Sequence, residues 1–172
     1  MAEKPTTHTP EFYTELAVEI AEKSFDYNQR GFALVMKPEP YMVNKKDGTK
    51  FWKAGFHLYF PESECDVDSA KNIRTNCFEV VRKAIAPYDV LNTLTDIVDD
   101  CVILRNNHLV MPGQFKPSFK VKGCKGGRYN IVAHGQPCDG GEHNLVYYDT
   151  LEEWLEAIPL SFLIDHAFSV VR

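Results

Sequence analysis

No stretch of this chain approaches the roughly 18 consecutive apolar residues that a membrane-spanning helix needs, and no apolar signal core stands at its N-terminus. Cysteine is sparse: five residues, an odd number, with no Cys-x-x-Cys pair among them. That count argues against a complete disulfide framework and for an intracellular, reducing compartment. Positive charge is not in excess either, since 19 Lys and Arg face 24 Asp and Glu for a net charge of −5, so bulk charge does not announce a nucleic-acid binder. Internal repeats and a linker-like segment are lacking as well. What remains, 172 residues with 44% hydrophobic and 25% charged content, describes one soluble globular domain with a real core, spanning 1–172.

The first eight residues are polar and expected to be mobile. Thr9-Pro10-Glu11 is a helix start, with a capping threonine, a first-turn proline and an acid at the positive helix end. Tyr13, Leu16, Ala17, Ile20, Ala21 and Ser24 then give one packed face. Gly31 to Lys37 reads as a strand, and Lys45-Lys46-Asp47-Gly48 carries a hairpin turn signal. A strand over 51–60 follows, expected to neighbour the first. A helix from Asp68 to Ile85 presents Ile73, Cys77, Val80, Val81, Ala84 and Ile85, with Pro87 closing it. Asp96 to Leu104 reads as acids heading an apolar strand, Asn106-Asn107 as a turn, and Leu109-Val110-Met111 as a returning strand. Residues 113–128, rich in Gly and Lys, read as a loop. Arg128 to Ala133 and Asn144 to Tyr148 read as short strands, and Thr150 with Glu153 as a capping box for a last helix carrying Trp154, Leu155 and Ile158.

The most informative stretch is Lys53-Ala54-Gly55-Phe56-His57-Leu58-Tyr59-Phe60-Pro61. Its alternation is the period-2 signal of a half-buried strand, and Pro61 cannot continue a ladder. Phe56, Leu58 and Phe60 then face the core, and His57 the opposite side with Lys53, Gly55 and Tyr59. A cation, a gap, an imidazole and a phenol on one face suggest a site for a phosphate-bearing ligand; the bland alternative is an ordinary core or surface histidine. Asp99-Asp100 at a strand head suits Mg²⁺ or Mn²⁺, which favour oxygen ligands, or else a solvated turn with a helix cap. Lysines cluster at Lys45, Lys46, Lys50 and Lys53, and again, with one arginine, at Lys116, Lys120, Lys122, Lys125 and Arg128. These are basic loops that either meet a nucleic-acid backbone or are simply solvated. Cys124, His134, Cys138 and His143 have zinc-binding chemistry but no common zinc spacing. A Cys–His nucleophilic pair has no local signature, and Gly123 to Arg128 lacks the lysine–hydroxyl ending of a phosphate-binding P-loop.

In order and spacing these segments resemble the archaeo-eukaryotic primase superfamily, in particular the primase domain of poxvirus-type helicase-primases of large DNA viruses. The matching residues are Lys53 to Pro61, Asp99-Asp100-Cys101-Val102, Arg105-Asn106-Asn107, Met111 to Lys116 and Arg128-Tyr129, over roughly residues 30–135. The resemblance implies an α+β fold, a small, mostly antiparallel RRM-like sheet with helices packed on one face. It also implies template-directed nucleotidyl transfer with nucleotides and a single-stranded DNA template as partners, and an associated or fused helicase. By resemblance His57 contacts nucleotide phosphates, Asp99, with Asp100 as close rival, binds the catalytic metal, and Lys116 meets phosphate or template; Lys53, Lys125 and Arg128 join the binding set. Two departures accompany it. The family's Asp-x-Asp pair stands on a strand before the first helix seen here, whereas Asp66-Val67-Asp68 lies after the histidine strand and reads as a loop and helix cap. Gly55 stands where the superfamily often has a small hydroxyl residue. The chain is therefore expected to be an incomplete primase domain, inactive by itself; the alternatives are a non-catalytic single-strand-binding domain derived from a primase, or an unrelated interaction domain.

Overall fold

The computed structural model describes residues 8–37, 39–44, 47–61, 66–99 and 129–157. Helix α1, Pro10–Ser24, starts as its sequence dictates: Thr9 is extended and its hydroxyl accepts from Phe12 N at 3.2 Å, with proline in the first turn. Phe25 ends the helix, and a 3-10 turn, Tyr27–Gln29, leads into strand β1, Phe32–Met36. Strands β2, Tyr41–Asn44, and β3, Lys50–Lys53, form a hairpin whose turn holds Gly48 at φ +84° while Asp47 accepts from Thr49 N. Strand β4, Phe56–Tyr59, precedes α2, Val67–Ile85, and the short α3, Leu94–Ile97. Strand β5, Asn130–Pro137, turns through Gly140 and Gly141 into β6, His143–Tyr147, and α4, Leu151–Ala157, closes the described chain.

The result is the expected α+β arrangement: a four-stranded antiparallel sheet in the order β4-β1-β5-β6, with helices packed against it. The β2–β3 hairpin is a separate two-stranded ribbon. On one sheet face Leu34, Met36 and Ala133 meet Tyr13, Leu16 and Ile20 of α1 and Val80 and Val81 of α2, flanked by Phe56, Leu58 and Phe60. This is the main core, and each fully buried side chain of this size contributes roughly 1.5–3 kcal/mol. Thr14, fully buried in α1, ties the helix to the sheet through a 3.0 Å hydrogen bond to the Tyr147 hydroxyl.

The other face carries a smaller cluster of Val35, Tyr129, Ile131, Tyr148 and Trp154. A β-bulge makes this division possible. Leu34 pairs with Ala133 but Val35 pairs with Ile131, so Val132 is the extra residue and the facing of β5 reverses across it. Ala133 thus faces the helices and Ile131 the second cluster. Beyond α1 to α3 on the first face, α4 brings Trp154 to the second; Leu155, expected inside, is 47% exposed, and Ile158 lies outside the described residues.

Three sequence expectations need correction. The strand over 51–60 is two strands in two sheets, broken at Ala54-Gly55, where Lys37 N donates to Gly55 O at 2.9 Å. Asp96 lies in a helical turn, not in a strand: Thr93 and Asp96 form a capping box, the hydroxyl accepting from Asp96 N and the carboxylate from Thr93 N, and this winds residues 94–97 into that turn. His8, placed in a mobile lead-in, is anchored, its Nε2 donating to Lys37 O at 2.9 Å and its Nδ1 bonded to the Tyr13 hydroxyl. The apolar part of the expected strand up to Leu104, the Asn106-Asn107 turn, the Leu109-Val110-Met111 strand and the 113–128 loop lie outside the described residues. Asp66 behaves as read from sequence, capping α2 by accepting from Ser69 N at 2.7 Å.

Candidate functional site

His57 stands in the middle of β4, paired with Val35 of β1, and faces away from α1 and α2 as the alternation of Phe56, Leu58 and Phe60 requires. That face is not open sheet. The imidazole is half-buried, 4.8 Å from the Tyr129 ring and 6.3 Å from the Tyr59 ring, and its Nε2 is shielded from solvent. Burial, then the neighbouring Tyr129, pushes the Tyr59 phenol up to about 12; burial raises Tyr129 too, with Tyr41 adding to it. Both phenols are therefore neutral at physiological pH and serve as hydrogen-bonding, aromatic walls.

The gap expected at Gly55 exists, but the protein itself uses it. A side chain there would lie 2.8 Å from the Tyr129 hydroxyl and 3.4 Å from the Lys37 stem. Lys37 is the site residue that sequence reading missed. It is only 6% exposed, and its ammonium sits 4.6 Å over the Tyr41 ring and 5.2 Å from the Tyr129 centroid, a double cation–π arrangement. Its signal was available: Phe32, Leu34 and Met36 take the helix side, so Lys37 follows the parity of Ala33 and Val35, which is the parity of His57. Lys53, placed by parity on that face, instead lies on the ribbon opposite Tyr41, exposed to solvent.

Asp99 is exposed and follows Val98, which packs into the helix-side core, while His57 occupies the other face. Asp100, Lys116, Lys125 and Arg128 lie outside the described residues. Among the described residues no three His, Cys, Asp or Glu side chains gather as a metal-binding group. They therefore do not constitute the two-ion carboxylate site that primase chemistry requires. The zinc candidates are also divided: His134 shares a 2.7 Å hydrogen bond with the Tyr148 hydroxyl, whereas His143 donates to Arg30 O and packs beside Phe32. Cys138 closes the β5–β6 turn by donating its thiol to Glu142 O, and Cys124 is outside the described residues.

An antiparallel sheet with two helices on one face, a histidine of its edge strand on the other, and an acidic segment after the second helix is the order the sequence pointed to. The family model described as the C962R protein N-terminal AEP domain, AEP denoting archaeo-eukaryotic primase, matches residues 4–124. The chain belongs to that family. The matched span includes Lys37, the β2–β3 ribbon, His57, Asp99, Asp100 and Lys116, whereas Lys125, Arg128 and Tyr129 follow it. No curated protein and no solved structure matched. Among the described residues no helix is long and apolar enough to cross a membrane.

Proposed function

We propose that this AEP domain binds nucleoside triphosphates on the His57 face of its sheet and serves DNA replication of a virus or mobile element, in a reducing intracellular compartment. The observation that carries the reading is the family match across residues 4–124, which spans the histidine strand. His57 donates to a phosphate oxygen, and the Lys37 ammonium beside the Tyr129 ring adds positive charge on the same face. Because His57 Nε2 is shielded, this role requires the surrounding tyrosines to yield on binding. Lys53, Lys116, Lys125 and Arg128 would meet the backbone of a single-stranded template, and a fused or associated helicase would supply that strand. Asp99 and Asp100 are the carboxylates assigned to Mg²⁺ or Mn²⁺ in this reading. One such locus does not hold two ions, and the Asp66-Val67-Asp68 pattern is spent on capping α2.

This last observation favours a second reading for the 172-residue polypeptide: a primase-derived domain that binds single strands and nucleotides without joining them. Incubation with single-stranded template, nucleotides and Mn²⁺ tests it. No template-dependent product is expected. A product that disappears in His57→Ala would establish the polypeptide as a complete catalyst.

A further inference from the structure

Strand β6 ends the four-stranded sheet, with β5 on one side and no described strand on the other. Its bonds to β5 show which main-chain groups are spent. Tyr148 N donates to Val132 O and Cys138 N to Glu142 O, each at 2.9 Å. These bonds bracket a register that pairs Ala133 with Tyr147, Gly135 with Leu145 and Pro137 with His143. Bonded and non-bonded pairs alternate in an antiparallel ladder, so the N–H and C=O groups of His143, Leu145 and Tyr147 point away from β5. Pro137, which has no N–H, stands opposite His143 in keeping with that alternation. Edge strands are ordinarily blunted by charge, proline or a covering element. His143 to Tyr147 contain no Lys, Arg, Asp, Glu or Pro, and Leu145 and Tyr147 are 36% and 43% exposed.

We infer that β6 pairs with β6 of a second copy of this chain, antiparallel about a two-fold axis at Leu145, so that one sheet runs through both copies. Outward main-chain groups select an extended strand as the occupant, and the pattern of β6 selects β6 itself. With Leu145 on the axis, it exchanges both its bonds with the partner's Leu145, and His143 does so with the partner's Tyr147. Every outward group of the strand is then used. Leu145 also meets the partner's Leu145 side by side on the helix face of the sheet, covering two exposed apolar side chains. The flanking acids fit the same register. Glu142 falls opposite the partner's Tyr148 and Asp149 opposite the partner's Gly141, so no acid faces an acid. Thr14 already holds the Tyr147 hydroxyl at 3.0 Å, which braces the edge before a partner arrives. The axis stands perpendicular to the sheet, leaving both His57 faces on one side and each β4 at an outer edge. The pairing is therefore independent of the nucleotide reading.

Sedimentation of the full 172-residue chain from about 1 to about 200 µM, with enough salt to screen the net charge of −5 on each copy, tests it. The mass should rise from 19.6 kDa toward twice that value with concentration. A single strand pairing is small for an interface, so a reversible dimer is expected rather than a permanent one. Leu145→Lys sets two ammonium groups beside each other across the axis and should weaken association by about tenfold or more. Its thermal melt in dilute solution should stay near that of the wild type, because the position lies at the surface. Amide hydrogen exchange of the unaltered chain gives a reading that needs no variant: His143, Leu145 and Tyr147 should exchange more slowly in concentrated than in dilute protein. A mass of one copy at every concentration overturns the inference. So does association that leaves these three amides unprotected, or that a folded Leu145→Lys chain retains in full.

Discussion

Single positions in this domain are set by contacts that come from far along the chain. Gly135 is the clearest. A side chain there would run into the ring of Phe32, itself 1% exposed, and lie 3.1 Å from Leu145. Gly135→Ala should therefore lower stability by about 1–3 kcal/mol through overpacking, seen as a reduced denaturation midpoint with an unchanged slope. His134 gives the fold a pH dependence. Burial holds its pKa below the ordinary value of 6.5, and the neutral ring bonds the Tyr148 hydroxyl. The unfolded chain binds this proton more readily than the folded one, so stability is full above about pH 6.5 and falls as pH drops through the window between the unfolded and folded values. Thermal melts at pH 7.5 and 5.5 should show a smaller difference in His134→Gln than in the wild type. At this scale the face of His57 was legible, because alternation alone fixes which side a strand residue takes. The tyrosine cage was not, since Tyr129 reaches Gly55 and His57 from more than seventy positions away.

Elements were readable wherever a local rule decided them. The caps of α1 and α2, the apolar stripe of α2 and the glycine turn before β6 all follow from short-range chemistry, and each stands where the sequence placed it. Thr9→Ala should accordingly destabilise the domain by about 1 kcal/mol, the ordinary worth of an N-cap, and restoration by Thr9→Ser would assign the loss to the cap. Two elements misled because competing local signals were present. The run from Phe51 to Phe60 alternates without interruption, yet it divides between two sheets because Gly55 O is taken by Lys37 N. Asp96 lies beside an apolar run that reads as strand, but Thr93 three residues earlier makes it the closing residue of a capping box. The bulge at Val132 left no mark in the sequence, since it is defined only by the partner strand.

The whole molecule joins a helix-backed sheet, a second face lined by tyrosines around His57 and Lys37, and a basic ribbon outside the sheet. In the proposed function that second face takes an oligophosphate, because a histidine on the edge strand beside a buried cation suits one. Replacing His57 by alanine would also open space beneath Tyr129, so the more direct variant is His57→Phe, which keeps a ring between Tyr59 and Tyr129 and removes only the donor. Calorimetric titration of the wild type and His57→Phe with a nucleoside triphosphate, alongside their thermal melts, tests the assignment. Expected is a loss of binding worth about 1–3 kcal/mol, with melting nearly unchanged. Equal nucleotide affinity in the two proteins, or no nucleotide binding by either, would contradict it and leave His57 as a packing residue of the second cluster.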